Sequence, residues 1–114
     1  MRTDVFVIGG GPAGLSAATA AAEAGAGVVL AEPFSAGGRL LTHIECDASD
    51  GSLTGPEYAS KLVARAIGTG RVHMIRTAVV RVGRDLTVET AGGEGSYVCS
   101  AGAVVLASGG KDVP

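Results

Sequence analysis

Residues 5–14 read VFVIGGGPAG, and this stretch decides the fold. The residues from Asp4 to Ile8 form a short, mostly apolar run of the kind that a buried parallel strand has. Three glycines break the run, and Pro12 then stands where a first helical residue tolerates a missing N–H. Ala13 to Ala24 is rich in alanine, the best helix former. The stretch therefore predicts a strand that turns sharply into a helix.

A second strand is predicted from Gly27 to Ala31, after Gly25 has ended the helix. Strand, helix and parallel strand between Val5 and Glu32 make a β–α–β unit, whose crossover is expected to be right-handed.

The turn between the first strand and the helix has the pattern G-x-G-x-x-G. Gly9 is expected to permit the tight turn, Gly11 to let a pyrophosphate approach the backbone, and Gly14 to let the helix pack closely on the sheet. The helix start at Pro12 and Ala13 would then face the phosphates with the positive end of its dipole. The loop predicts a site for a dinucleotide.

Glu32 follows the second strand, at the distance where an acid hydrogen-bonds the ribose hydroxyls of a bound dinucleotide. The alternative is a structural turn with a solvated glutamate. A carboxylate here would repel a 2′-phosphate, so NADP is disfavoured as the ligand of this loop. The β–α–β unit by itself does not choose between NAD and FAD.

The rest of the chain predicts a second β–α–β unit and a small antiparallel meander. A loop is expected from Phe34 to Gly55, and a helix from near Pro56 until Gly68. One apolar stripe on that helix has a helical period; it comprises Tyr58, Ala59, Leu62, Val63, Ala66 and Ile67. The later strands are predicted at Arg71–Ile75, Val79–Val82, Leu86–Thr90, Tyr97–Ser100 and Ala103–Ala107, with a glycine-rich hairpin turn at Gly92, Gly93 and Gly95.

Composition limits the function classes. The 114 residues suit one domain, and hydrophobic residues make up 46% of them, enough for a core. A net charge of −2 with scattered basic residues offers no footprint for nucleic acid, and no stretch is long enough to span a membrane. Cys46 and Cys99 form no C-x-x-C pair, and no zinc-ligand spacing occurs, so we predict no metal, no redox disulfide and a cytoplasmic setting.

Beyond the first unit, the sequence resembles the FAD domain of the glutathione-reductase-type flavoproteins. The pair Gly37-Gly38 comes shortly after the acid, and Ser108-Gly109 ends the strand that follows the meander. The resemblance implies FAD as the cofactor, with Gly38, Ser108 and Gly109 among its contacts. It also implies that the backbone of Val79 meets the adenine. NAD in the same loop is the alternative.

A closer similarity is to the thioredoxin-reductase-like branch of the pyridine nucleotide-disulfide oxidoreductases, carried by GGRLLT at 37–42 and LTGPE at 53–57. Arg39 stands where that branch usually has glutamine, and it would meet a phosphate or the flavin edge, or lie at the surface. The branch continues into a nicotinamide domain and a closing Gly-Asp segment, neither of which lies within residues 1–114.

The resemblance therefore implies a truncated, Rossmann-like, three-layer α/β FAD/NAD(P)-binding domain and the FAD-binding portion of an NAD(P)H-linked flavoprotein oxidoreductase. The alternative is a non-catalytic dinucleotide-binding subunit or fragment that needs a partner chain or a missing C-terminal half. No residue is predicted to be catalytic. The sequence does not choose between a monomer and a homo-oligomer.

Overall fold

A computed structural model of the protein describes residues 1–33, 55–92 and 96–107. Two helices and six strands lie in these ranges. In chain order they are β1 (Arg2–Ile8), α1 (Pro12–Glu23), β2 (Val28–Ala31), α2 (Gly55–Gly68), β3 (Val72–Ile75), β4 (Ala78–Val82), β5 (Thr87–Ala91) and β6 (Val98–Leu106). None of the helices in the described ranges is long and apolar enough to cross a membrane.

The six strands form one sheet in the order β3-β2-β1-β6-β5-β4. β1 pairs in parallel with β2 on one side and with β6 on the other, and β2 pairs in parallel with β3. β4 and β5 continue the sheet as antiparallel strands. Both predicted β–α–β units and the antiparallel meander are confirmed, and with them the α/β fold class.

The prediction of two separate strands at Tyr97–Ser100 and Ala103–Ala107 is wrong, because the structure has one nine-residue strand there. The first part of β6, Val98–Ser100, pairs with β5 as well as β1, and its side chains alternate between buried and exposed. The second part pairs with β1 along its apolar run. Because the burial pattern changes partway along β6, the sequence of this one strand resembles the sequence of two.

Side chains alternate across the sheet and form a core on each face. The helices cover one face, where α1 packs on β1 and β2, and α2 packs on α1 and β3; this core contains Val7, Leu15, Ala18, Ala22, Val28, Leu30, Ala59, Leu62 and Ala66. The predicted stripe of α2 is confirmed except at Ile67, whose side chain is exposed. Ile67 lies in the last turn, about 100° around the helix from buried Ala66, and so faces away from α1.

The opposite face carries the second core, which contains Phe6, Val29, Ala31, Ile75, Val88, Cys99 and Ala101. It joins the parallel strands to the meander. In the turn between β4 and β5, Leu86 has φ 62°, which is uncommon for a residue other than glycine. Gly92 at the end of β5 has φ 90°, as the predicted turn requires, whereas Gly93 and Gly95 lie outside the described residues.

Candidate functional site

The glycine loop lies at the carboxyl edge of the parallel strands. The N–H of Gly9 donates to the carbonyl of Ala31 at 2.9 Å, and the N–H of Ala107 donates to Ile8 at 2.8 Å. The ends of β1, β2 and β6 are thus tied together around the loop. This edge is where ligands bind in open α/β sheets.

Gly9 and Gly14 have the conformational roles that the sequence predicts. Gly9 has φ 111°, a backbone conformation that L side chains rarely adopt. A Cβ on Gly14 would lie 1.8 Å from the carbonyl oxygen of Gly9 and 3.4 Å from Cγ1 of Val7. The first turn of α1 therefore touches the loop backbone directly, and glycine is required for the contact.

Gly11 differs from its two neighbours in the pattern, because a Cβ there would meet no atom within 4 Å. It is the N-cap of α1, with φ −79° and ψ −169°, so its backbone is ordinary for any residue. No side chain caps the helix, and its first turn contains no acidic residue. Open space therefore faces the N–H groups of a helix start, which suits an approaching anion.

Glu32 contacts the loop directly. Its Oε1 accepts a hydrogen bond from the N–H of Gly10 at 2.7 Å, and its own N–H donates to the carbonyl of Ile75 at 3.0 Å. A Cβ on Gly10 would lie 2.9 Å from Cβ of Glu32. The pattern G-x-G-x-x-G predicts no role for Gly10, although a glycine at a freely variable position of the pattern was the available signal.

Val79 lies on β4, half-buried, opposite Thr90 of β5. It packs against the core on the meander side, which also contains Ala31, the residue before Glu32. The remaining predicted contacts lie outside the described residues; they are Gly38, Arg39, Ser108 and Gly109. Cys46 also lies outside them. Ser108 directly follows Ala107, which is hydrogen-bonded to the end of β1.

Two titratable side chains outside the loop have shifted pKa values. Burial raises the pKa of the Cys99 thiol, which lies fully buried on β6, so the thiol is a core residue and not an activated nucleophile. The pKa of Asp85 is lowered, chiefly by the hydrogen bond from the backbone N–H of Thr87. Asp85 stabilises the turn between β4 and β5, and neither side chain lies at the glycine loop.

The fold and the loop define a Rossmann-like domain, the class in which a glycine turn joins a central strand to a helix. The chain matches the family described as pyridine nucleotide-disulphide oxidoreductase over residues 3–114. It belongs to that family, and the predicted resemblance is confirmed. No curated protein matches the chain in sequence.

Solved structures agree with this assignment. A thioredoxin reductase from Gloeobacter violaceus superposes with a TM-score of 0.78 at 24% identity, over 95% of this chain and 34% of its own. A thioredoxin reductase from Streptococcus pyogenes has a TM-score of 0.72 at 26% identity, over 95% and 35%.

An anhydrotetracycline hydroxylase from Streptomyces rimosus has the same fold, with a TM-score of 0.77 at 20% identity, over 96% of this chain and 32% of its own. The chain thus spans about a third of the length of the structures it matches. Since proteins named for different activities share the fold, the fold does not by itself choose the reaction.

Proposed function

We propose that the chain is the FAD-binding portion of a thioredoxin-reductase-like, NAD(P)H-linked flavoprotein oxidoreductase. The observation that carries the proposal is the open space at Gly11, the N-cap of α1, where an added Cβ would meet no atom within 4 Å. A side chain at this position would occupy that space. The family to which the chain belongs supports a flavin as its occupant.

In this proposal the loop holds the ADP half of FAD. The backbone at Gly9, Gly11 and Gly14 and the helix start at Pro12 and Ala13 receive the pyrophosphate, because the helix dipole and the unpaired N–H groups favour negative charge there. Glu32 binds the ribose hydroxyls. The family resemblance adds Val79 at the adenine, with Gly38, Arg39, Ser108 and Gly109 as further contacts.

The flavin, once bound, supplies hydride and electron chemistry, and the chain supplies position and electrostatics. No described residue at the loop has the surroundings of a catalytic acid, base or nucleophile. The nicotinamide nucleotide is proposed to bind outside this chain, in the nicotinamide domain that the family resemblance implies. The carboxylate of Glu32 disfavours a 2′-phosphate, and so NADP, in this loop. NAD in place of FAD is the alternative occupant.

The small number of cysteines supports a reducing, cytoplasmic setting.

A binding experiment tests the proposal. The purified chain is titrated with FAD, and binding is followed by the visible spectrum and by quenching of flavin fluorescence. Gly11→Val is expected to abolish binding by filling the pyrophosphate space. Gly68→Val is the matched control, because a Cβ on Gly68 also meets nothing within 4 Å but lies at the end of α2. Equal affinity of the two variants, or a chain that binds neither FAD nor NAD, would contradict the proposal.

The second candidate is a non-catalytic dinucleotide-binding subunit or fragment that needs a partner chain. One observation favours it: among the described residues, β5 and the turn before it cover one edge of β6 only from Val98 to Ala101. Further along β6, the side chain of Leu106 is 75% exposed. Open apolar edges of sheets pair readily with further strands.

Anaerobic addition of NADH or NADPH to the FAD-loaded chain tests the second candidate. Bleaching of the yellow colour excludes a non-catalytic module, whereas a protein that stays yellow fits both candidates, because the nicotinamide nucleotide is proposed to bind outside this chain. Sedimentation of the same sample shows whether the chain is a monomer or a homo-oligomer.

A further inference from the structure

Gly10 occupies a variable position of the glycine pattern, yet it is buried and its N–H is hydrogen-bonded to a side chain. Its N–H donates to Oε1 of Glu32 at 2.7 Å, a short hydrogen bond to a charged acceptor. The side chain of Glu32 lies against Gly10 closely enough that an added Cβ would be 2.9 Å from Cβ and 3.1 Å from Cγ of the glutamate. The acid and the loop therefore pack as one unit.

We infer that Glu32 is a positioning residue for the glycine loop, in addition to the ribose-binding role that the proposed function gives it. Its carboxylate holds the Gly10 amide and so fixes the path of the backbone between Gly9 and Gly11 before any ligand arrives. The consequence of this inference, an ordered loop that is ready to bind phosphate, rests on the proposed function. The hydrogen bond itself is observed in the structure.

The hydrogen bond between Gly10 and Glu32 is one of three that connect the ends of β1, β2 and β3. Gly9, after β1, donates to Ala31 of β2; Gly10 donates to Glu32, which follows β2; and the N–H of Glu32 donates to Ile75 of β3. The first two hydrogen bonds connect the loop to the end of β2, and the third connects the end of β2 to β3. Because a buried N–H without a partner costs free energy, removal of the Glu32 acceptor leaves the Gly10 amide to find water or to move.

The charge of Glu32 and its hydrogen bond to Gly10 have opposite expected effects on anion binding, so the two effects can be separated. A carboxylate beside an anion-binding loop opposes a pyrophosphate by Coulomb repulsion, so its charge alone would weaken anion binding. Its hydrogen bond to Gly10 acts in the other direction by ordering the loop. Glu32→Gln keeps an oxygen acceptor and removes the charge, whereas Glu32→Ala removes both, so the two variants separate the effects.

The test is amide hydrogen exchange, followed by NMR on the ¹⁵N-labelled, ligand-free 114-residue chain. In Glu32→Ala we expect the Gly10 amide to exchange about tenfold faster or more than in the wild type, the size of a lost charged hydrogen bond. Glu32→Gln should stay several-fold slower than Glu32→Ala. Glu23→Ala is the control, because Glu23 is an exposed acid at the far end of α1 and should leave the Gly10 rate unchanged.

Two outcomes would overturn the inference. One is a Gly10 exchange rate that is the same in Glu32→Ala and the wild type. The other is an equal acceleration of the core amides of Val7 and Leu30, which would show general destabilisation. Titration of the same samples with FAD keeps the two proposals apart: if the wild type binds no FAD, the proposed function fails, and the exchange pattern still decides the role of Glu32.

Discussion

Replacing Gly14 by alanine is expected to destabilise the whole fold, because the new Cβ would lie 1.8 Å from the Gly9 carbonyl oxygen. Real Cβ atoms essentially never approach closer than 3.0 Å, so α1 must retreat by about 1.2 Å from the loop. The opposing atom is backbone and cannot swing aside. The retreat would also loosen the packing of Leu15 and Ala18, which are completely buried between α1 and the sheet.

The expected cost is roughly 3 kcal/mol, the upper part of the usual range for overpacking a close contact. For a domain of this size such a loss lowers the melting temperature by roughly 10–25 °C. Thermal unfolding of the ligand-free chain, followed by far-ultraviolet circular dichroism, measures it directly.

Gly11→Ala is the matched control. A Cβ on Gly11 meets nothing within 4 Å, and the residue already has an ordinary φ of −79°. Alanine is a slightly poorer N-cap than glycine, but it also reduces the entropy of the unfolded chain, and the two effects nearly cancel at well under about 1 kcal/mol. Gly14→Ala with a wild-type melting temperature, or Gly11→Ala with the larger loss, would refute the assignment of separate roles to the two glycines.

Three further predictions concern the meander. Thr77→Val should lower the free energy of unfolding by about 1–2 kcal/mol, because the buried Thr77 hydroxyl donates to the carbonyl of Gly92. Chemical denaturation measures this loss, and Thr77→Ser, which keeps the hydroxyl, should lose less stability. Because burial raises the pKa of the Cys99 thiol, its contribution to stability is present below the unfolded-state pKa and is lost as pH rises through the folded one. Denaturation between about pH 7 and pH 10 should therefore show a decline that Cys99→Ala reduces, and an identical decline in both proteins would count against it. The lowered pKa of Asp85 has the opposite sign: its contribution to stability is present above the unfolded-state pKa and is lost as pH falls through the folded one. An NMR titration should therefore place the pKa of this carboxyl below the ordinary range of an aspartate, and an unshifted pKa would contradict the hydrogen bond from Thr87.

Much of the fold follows from local sequence, since its first unit combines an apolar run, a glycine turn and an alanine-rich helix between Val5 and Glu32. These signals act over a few residues and agree with one another, and such agreement makes a segment predictable. The sequence predicts two strands in place of β6 because the neighbours of β6 change along its length. β5 lies beside only its first part. A strand's burial pattern reports its neighbours, and spacing along the chain does not reveal them.

The candidate site was predictable to a similar extent. The roles of Gly9 and Gly14 follow from the backbone geometry that a strand–turn–helix requires, and the structure confirms both conformations. The contact between Gly10 and Glu32 was not predicted, because it depends on how a side chain from β2 folds across a loop from β1. Sequence spacing places the two backbones near each other but does not fix that rotamer. The ligand roles of these residues stay predictions.

The pairing of β1 with β6 has a consequence for how the protein is made. The N-terminal ammonium of Met1 lies 3.3 Å from the carbonyl of Val98, across a sequence separation of 97 residues. A nascent chain can join β1 to β2 early, but the other edge of β1 stays bare until translation has passed Val98. The central strand therefore completes its pairing only through a contact of long sequence separation, which forms more slowly than the local β–α–β unit.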